Sequence, residues 1–334
     1  MVDRVGIVIP AWYPAATPAP EIEKLLLTTL ADAASCAAPA DVVVVPDGCP
    51  AALEAAERLR ESMGPAWGAP FELVPLPENQ GKGAALAAGI RHLLRRERPP
   101  EWIAARDADG DHMLDDLPHL YRIGEQIAGE CPGVPVAVIG SRASVHAPLG
   151  WVRGEYELLL NDAIVDAVAF ALARDGSAWD ARYLIQRAPD LQSGYKLYSR
   201  TAAELAVRAL AEQAPLHPEL KLLRTGMELV PFVTLALQGA VFGEAGRKSY
   251  QDQPVSAYGS LDFPTFYGRK LEWVFRRCEV APAAAAVMLD SAAARRPLLT
   301  HPDGRESFLT MRTRVLEALS GGEPVPPFRM RHLL

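Results

Sequence analysis

Cysteine is scarce in this sequence, positive charge is in deficit, and no long apolar run occurs. The four cysteines among 334 residues, Cys36, Cys49, Cys131 and Cys278, lie far apart and form no C-x-x-C pair. Reduced thiols in a cytoplasmic protein are expected from that spacing. Lysine and arginine total 34 against 41 acidic residues, a formal net charge of -7. That balance argues against a general nucleic-acid binder, which needs a basic surface. The longest apolar stretches are "LVPFVTLALQGAVFG", interrupted by Pro231 and Gln238, and "APAAAAVMLDSAAA", mostly alanine and broken by Asp290. Neither approaches the roughly 20 strongly apolar residues of a membrane span. The opening "MVDRVGIVIP" has no basic segment followed by a long apolar one, so no signal peptide is read there. A soluble protein without internal repeats is expected.

What is present is an alternation of two periods. Val5 to Ile9, Val42 to Val45, Phe71 to Val74, Trp102 to Ala105 and Pro135 to Ile139 are short apolar runs that read as strands buried on both faces. Helical patterns separate them: Glu21 to Ala34, Ala51 to Met63, Ala84 to Leu94 and Leu114 to Ile127. Such alternation predicts an α/β fold with a mainly parallel, Rossmann-like sheet flanked by helices. Ligands of such sheets bind beyond the carboxyl ends of the strands. Further on, Glu155 to Ala173 and Ala202 to Ala211 read as amphipathic helices. The Gly-, Ser-, Tyr- and Pro-rich residues 243–268 read as a long loop near the site, and the tail beyond Ala281 as helical with an irregular end.

"WIAARDADGDHMLDDL", residues 102–117, places Asp107, Asp109 and Asp111 at alternate positions after a buried strand. Like charges this close repel, so a cation is expected to neutralise them. A helix-loop-helix calcium loop would need glycine at its sixth position and glutamate at its twelfth. Counted from Asp107, those positions hold His112 and Pro118, so that reading fails. Oxygen donors alone suit Mg2+ or Mn2+; a solvated acidic turn is the plainer alternative. "PENQGKGAALAAGI", residues 77–90, joins a strand to a helix through Gly81, Lys82 and Gly83. Small residues let a backbone approach a ligand, and a helix N-terminus with a lysine favours an anion. The spacing matches neither a P-loop nor G-x-G-x-x-G.

Taken together, "VGIVIPAWYP", "VVVVPDGCP", "ENQGKGAALAAGI" and "DADGDH" resemble the nucleotide-sugar half of a family 2 glycosyltransferase of the GT-A fold. "VIGSRA" at residues 138–143 and "DLQSGYKLYSR" at residues 190–200 resemble its dolichyl-phosphate glucose and mannose synthase branch. The likeness spans roughly residues 5–245. It implies a GT-A domain over residues 1–280, with a nucleotide-sugar half at 1–140 and an acceptor half at 141–280; residues 281–334 form a helical extension and tail.

The resemblance also implies roles. Pro10, Ala11 and Asp47 line a nucleobase and ribose pocket, and Asn79 and Lys82 lie near the nucleotide. Asp107 approaches the ribose or sugar, Asp109 ligates the metal, and Asp111, at a position held by glutamine in that branch, adds a third metal contact. Arg142 and Arg153 clamp phosphates. Glu228, in "TGMELVPF", stands where the catalytic acid-base often lies, and Asp190 is the second candidate. Glu228 also precedes an apolar helix, Leu229 to Leu237, whose N-terminus it would favour in any case. The second strand ends P-D-G rather than D-D-G, Trp12-Tyr13-Pro14 replaces Tyr-Asn-Glu, and no membrane helices follow. The expected reaction moves a hexose from a UDP-glucose or GDP-mannose type donor to a soluble hydroxyl acceptor, with inversion. A polyprenyl-phosphate acceptor is the alternative, and a sugar-1-phosphate nucleotidyltransferase or a non-catalytic nucleotide binder are the rival classes. The oligomeric state stays open.

Overall fold

The computed structural model describes residues 1–248, 262–322 and 324–328, apart from the side chain of Pro148. Seven strands form one sheet: β1 (Val5–Ala11), β2 (Val42–Pro46), β3 (Glu72–Leu73), β4 (Trp102–Ala105), β5 (Val136–Arg142), β6 (Lys196–Ser199) and β7 (Val241–Arg247). Their spatial order is β3-β2-β1-β4-β6-β5-β7. All neighbours run parallel except β6, which is antiparallel to both β4 and β5. The expected α/β class with a mostly parallel sheet is what the chain adopts.

Strands β1, β2 and β4 are buried on both faces, whereas β3, expected over Phe71 to Val74, is a half-buried strand of two residues. In β2, Val43 and Val45 enter one apolar layer while Val42 and Val44 enter the other. That is the alternation a pleated backbone imposes on a run of valines. Helices α1 (Ala19–Leu30), α2 (Pro50–Trp67), α3 (Lys82–Leu94) and α4 (Leu117–Glu130) follow the first strands. Helix α2 begins with proline and ends on Gly68 at φ 79°, the positional preferences of these two residues. After β5 come α5 (His146–Leu149) and α6 (Trp151–Arg174). After β6 come α7 (Arg200–Leu216), α8 (Leu222–Thr225) and α9 (Leu229–Leu237). Ser199 caps α7 by accepting from the Ala202 N–H at 3.3 Å.

The stretch read as one long loop is different. Residues 241–247 are β7, which lies at the edge of the sheet beside β5, and α10 (Phe263–Arg277) starts on an Asp262 cap. Residues 249–261, the middle of that expected loop, lie outside the described residues, as do residues 323 and 329–334 of the expected irregular end. The helical expectation beyond Ala281 holds as α11 (Pro282–Ala294) and α12 (Pro302–Ser320). These two are no appendage: Leu289, Phe308 and Met311 share one buried cluster with Leu159 of α6 and Leu271 of α10. Among the described residues, no helix is long and apolar enough to cross a membrane.

Candidate functional site

Helices on the sheet's faces leave its carboxyl edge free to carry polar side chains. Because β6 runs antiparallel, the loop entering it, residues 190–195, meets that same edge beside the ends of β4 and β5. A pocket opens there. Lys82, Asp107, Asp111, Arg142, Arg153 and Glu228, all expected site residues, line it together. His112, Glu157, Gln192, Arg247, Phe266, Tyr267 and Lys270 complete much of the wall. Among the described lining residues, Pro10, Ala11, Asp47, Asn79 and Asp109 do not appear.

Part of the cation for the aspartates is supplied by the chain itself. Lys82 Nζ lies 2.6 Å from Asp107, and Arg247 donates to Asp111 at 3.1 Å from a position 2% exposed. Among the described residues Asp109 has no ion pair; one oxygen accepts the Asp111 N–H at 3.1 Å. Burial, and then the neighbouring Asp107 charge, push its carboxyl up to about 6. Among the described residues, no three His, Cys, Asp or Glu side chains are gathered as a ready-made metal site. An Asp109 carboxylate that its surroundings leave short of positive charge is an oxygen donor of the kind a divalent ion takes.

The glycines of the Gly-Lys-Gly turn are required by packing. Gly81 sits at φ 101°, and a Cβ there would lie 2.7 Å from the Leu223 carbonyl oxygen; at Gly83 it would lie 2.9 Å from the same atom. Their smallness lets α8 pack onto the start of α3. Asp47 is committed to the same turn: its two oxygens accept the N–H groups of Gln80 and Gly81 at 2.8 and 2.9 Å. It braces the turn that aims Lys82. The Asn79 carbonyl accepts from Arg224 at 2.5 Å. Pro10 and Ala11 end β1, where the Ala11 carbonyl accepts the Asp47 N–H at 2.9 Å.

Arg142 is held inward. Its Nε and Nη2 donate to the two oxygens of Asp190 at 2.8 and 2.7 Å, and Nη2 also donates to Glu157 at 2.8 Å. Burial disfavours both charges, but Arg142 outweighs it and keeps Asp190 below the ordinary carboxylate range. Arg142, expected as a phosphate clamp, forms a buried fork that pins β5, α6 and the 190–194 loop together and also lines the pocket. Arg153, 3.4 Å from Glu157, stays on the pocket wall.

Glu228 stands at the start of α9, 3.5 Å from Lys82 and 3.7 Å from Lys270. Burial pushes its carboxyl up, yet Lys270, Lys82 and Lys196 together hold it below the usual range. Lys270 in turn donates to Gln192 at 2.7 Å. Lys196 is buried and donates to the carbonyls of Leu191 and Ser193; burial lowers its ammonium to about 8. Gly194 is required by closeness: a Cβ would lie 2.6 Å from Asp107 Oδ2 and 2.8 Å from Lys82 Nζ. His112 is buried in the pocket wall, and burial with the charges of Arg247 and Lys82 keeps it well below its ordinary value, hence neutral.

Arg247, Lys270, Lys196 and Glu157 were not singled out from the sequence. Lys270 had a signal: it falls among Tyr267, Leu271 and Val274 on the buried face of α10, where a lysine needs a partner. Arg247 and Glu244 are two charges in an otherwise small and apolar strand, a second such signal. Glu244 accepts backbone N–H groups from Ile185 and Asp190 and so fixes the approach to the 190–194 loop. No family model matches the chain, and no curated protein matches its sequence.

Proposed function

We propose that the protein is a metal-dependent glycosyltransferase of the GT-A type, taking a hexose from a nucleoside-diphosphate sugar. The observation that carries this reading is the pairing, at the carboxyl edge of the sheet, of an undercompensated carboxylate with a cation-lined pocket. Asp109, flanked by Asp107 and Asp111, would hold Mg2+ or Mn2+, which when bound supplies Lewis-acid charge to the leaving diphosphate. Lys82, Arg247, Lys270 and Arg153 bring positive charge to the same pocket. Such charge suits the phosphates of a donor and the charge that grows on the leaving group.

Glu228 bears on the acceptor. A hydroxyl nucleophile must lose a proton, and a carboxylate is its simplest recipient. A carboxylate paired with two lysines and held below its ordinary range is a weak base. That pairing favours a second reading of the acceptor, an oxygen already ionised, such as a phosphate monoester, with Glu228 serving to balance Lys82 and Lys270. Inversion by a single displacement suits either acceptor.

A panel of nucleotide sugars, scored for nucleotide release with and without Mn2+, tests the proposal. Release of a nucleoside diphosphate that depends on the ion and rises with a hydroxyl or phosphate acceptor is expected. Release of pyrophosphate from a nucleoside triphosphate and a sugar 1-phosphate would move the protein to the nucleotidyltransferases. Binding without turnover of any donor would make it a non-catalytic binder.

A further inference from the structure

His112 stands in the pocket wall between Asp111 and the start of α4, 3% exposed. Its Nδ1 accepts a hydrogen bond from the Asp107 N–H at 2.9 Å. An accepting nitrogen keeps its lone pair, so in the neutral ring the proton sits on Nε2. An imidazolium would set one N–H against another, and the same bond therefore excludes it. The ring plane is fixed by stacking on Tyr195, with centroids 4.9 Å apart and planes 7° from parallel. A flip within that plane would put a C–H against the Asp107 N–H and leave a buried donor unpaired, at a cost of roughly 1–3 kcal/mol. Nε2 is 3.8 Å from Asp107 Oδ2, beyond hydrogen-bond reach.

We propose that His112 is a neutral Nε2–H donor to a diphosphate oxygen of the bound donor substrate, and that it is not a metal ligand. A nitrogen carrying a proton has no lone pair to give to a metal. A neutral donor beside Asp107 and Asp111 adds a contact to an anionic oxygen without adding positive charge that would compete with a divalent ion. The substrate half of this inference rests on the nucleotide-sugar reading; the tautomer half rests on the Asp107 bond alone.

Nitrogen NMR of protein labelled with 15N-histidine tests both, the His112 signals being assigned by their loss in His112→Gln. The free protein should show a protonated Nε2 and an unprotonated Nδ1, and Mg2+ alone should leave Nε2 protonated. UDP or GDP added with Mg2+ should shift the Nε2–H signal. A proton on Nδ1, or loss of the Nε2 proton on adding Mg2+, overturns the tautomer; no shift with either nucleotide overturns the contact. A shift without turnover of any nucleotide sugar would sink glycosyl transfer and leave the inference standing. Two variants separate contact from architecture. In His112→Gln the amide nitrogen can take the place of Nε2, whereas His112→Asn can replace only Nδ1. The Asn variant should lose kcat/KM by about 10- to 100-fold with its melting temperature kept, and Gln should recover most of that loss. Equal losses in both, with lowered melting, would mean that His112 only supports the turn.

Discussion

Arg142→Ala separates a phosphate clamp from a buried fork. The substitution deletes three side-chain hydrogen bonds, two to Asp190 and one to Glu157. It strands two carboxylates whose side chains are only 3% and 5% exposed. Breaking a buried pair by removing one partner costs about 3–5 kcal/mol. The lower end applies here, because Asp190 keeps the residue-142 N–H at 3.0 Å and Glu157 keeps the Tyr267 hydroxyl at 2.8 Å. With an unfolding entropy of about 2.1 cal/mol/K per residue, a 334-residue chain unfolding in one step would melt about 4 °C lower. The sign with pH follows from Asp190. Its folded value is depressed below the ordinary 3.8, so its contribution is present above that value and is lost as pH falls through the depressed one. The gap between wild type and variant, followed by circular dichroism, should be widest near neutrality and shrink in acid. Arg142→Met combined with Asp190→Leu should recover much of the loss, since a well-packed apolar pair can replace a buried ionic one. An Arg142→Ala protein that melts with wild type but binds nucleotide ten times more weakly would refute the fork and restore the clamp.

Asp109→Asn should abolish turnover, and Mg2+ or Mn2+ should raise the melting temperature of wild type but not of the variant. Because the Asp109 carboxyl is pushed up to about 6, its charge opposes folding above that pH. Without metal, the Asn variant should therefore gain more stability at pH 8 than at pH 5, measured by thermal melting. Asp47→Ala frees the Gln80 and Gly81 N–H groups, and should cost about 2–4 kcal/mol in urea unfolding with weakened nucleotide binding by calorimetry. Glu228→Gln should cut kcat by about 10²–10⁴-fold and erase the acidic limb of the pH–rate profile if the residue takes a proton; its lysine pairs predict instead a modest rate loss, an unchanged limb and a lower melting temperature. Nucleoside diphosphate should bind far more weakly in EDTA than with Mn2+, read by calorimetry.

Strands β1, β2 and β4 could be read from the sequence because a strand buried on both faces must be apolar along its whole length; β3, half-buried and holding Glu72, shrinks to two residues. Strand β7 escaped because its composition is set by neighbours rather than by burial. Gly243 is small since a Cβ there would lie 2.6 Å from Ile123, and the charges of Glu244 and Arg247 announce that partners exist but not which ones. At the site, residue types were readable and commitments were not. Asp107, Asp111, Lys82, Arg142 and Glu228 do gather at one edge. Yet Arg142 meets an aspartate 48 residues away, and Asp47 is spent on two backbone amides. The Arg142–Asp190 pairing depends on the antiparallel entry of β6, which periodicity cannot reveal.

That entry has a consequence for synthesis on the ribosome. Strand β5 pairs with β6 and β7 and is separated from β4 by β6. When Val136–Arg142 emerges, β1, β2 and β4 can already form a ladder, but the strand that must lie between β4 and β5 is still inside the tunnel or untranslated. Until Lys196–Ser199 arrives, an apolar segment with two open edges waits without a partner, the kind of exposure that invites aggregation. A fragment ending near residue 142 would carry that strand permanently unpaired, and would need a chaperone or a detergent to stay in solution although it holds all three aspartates and Lys82.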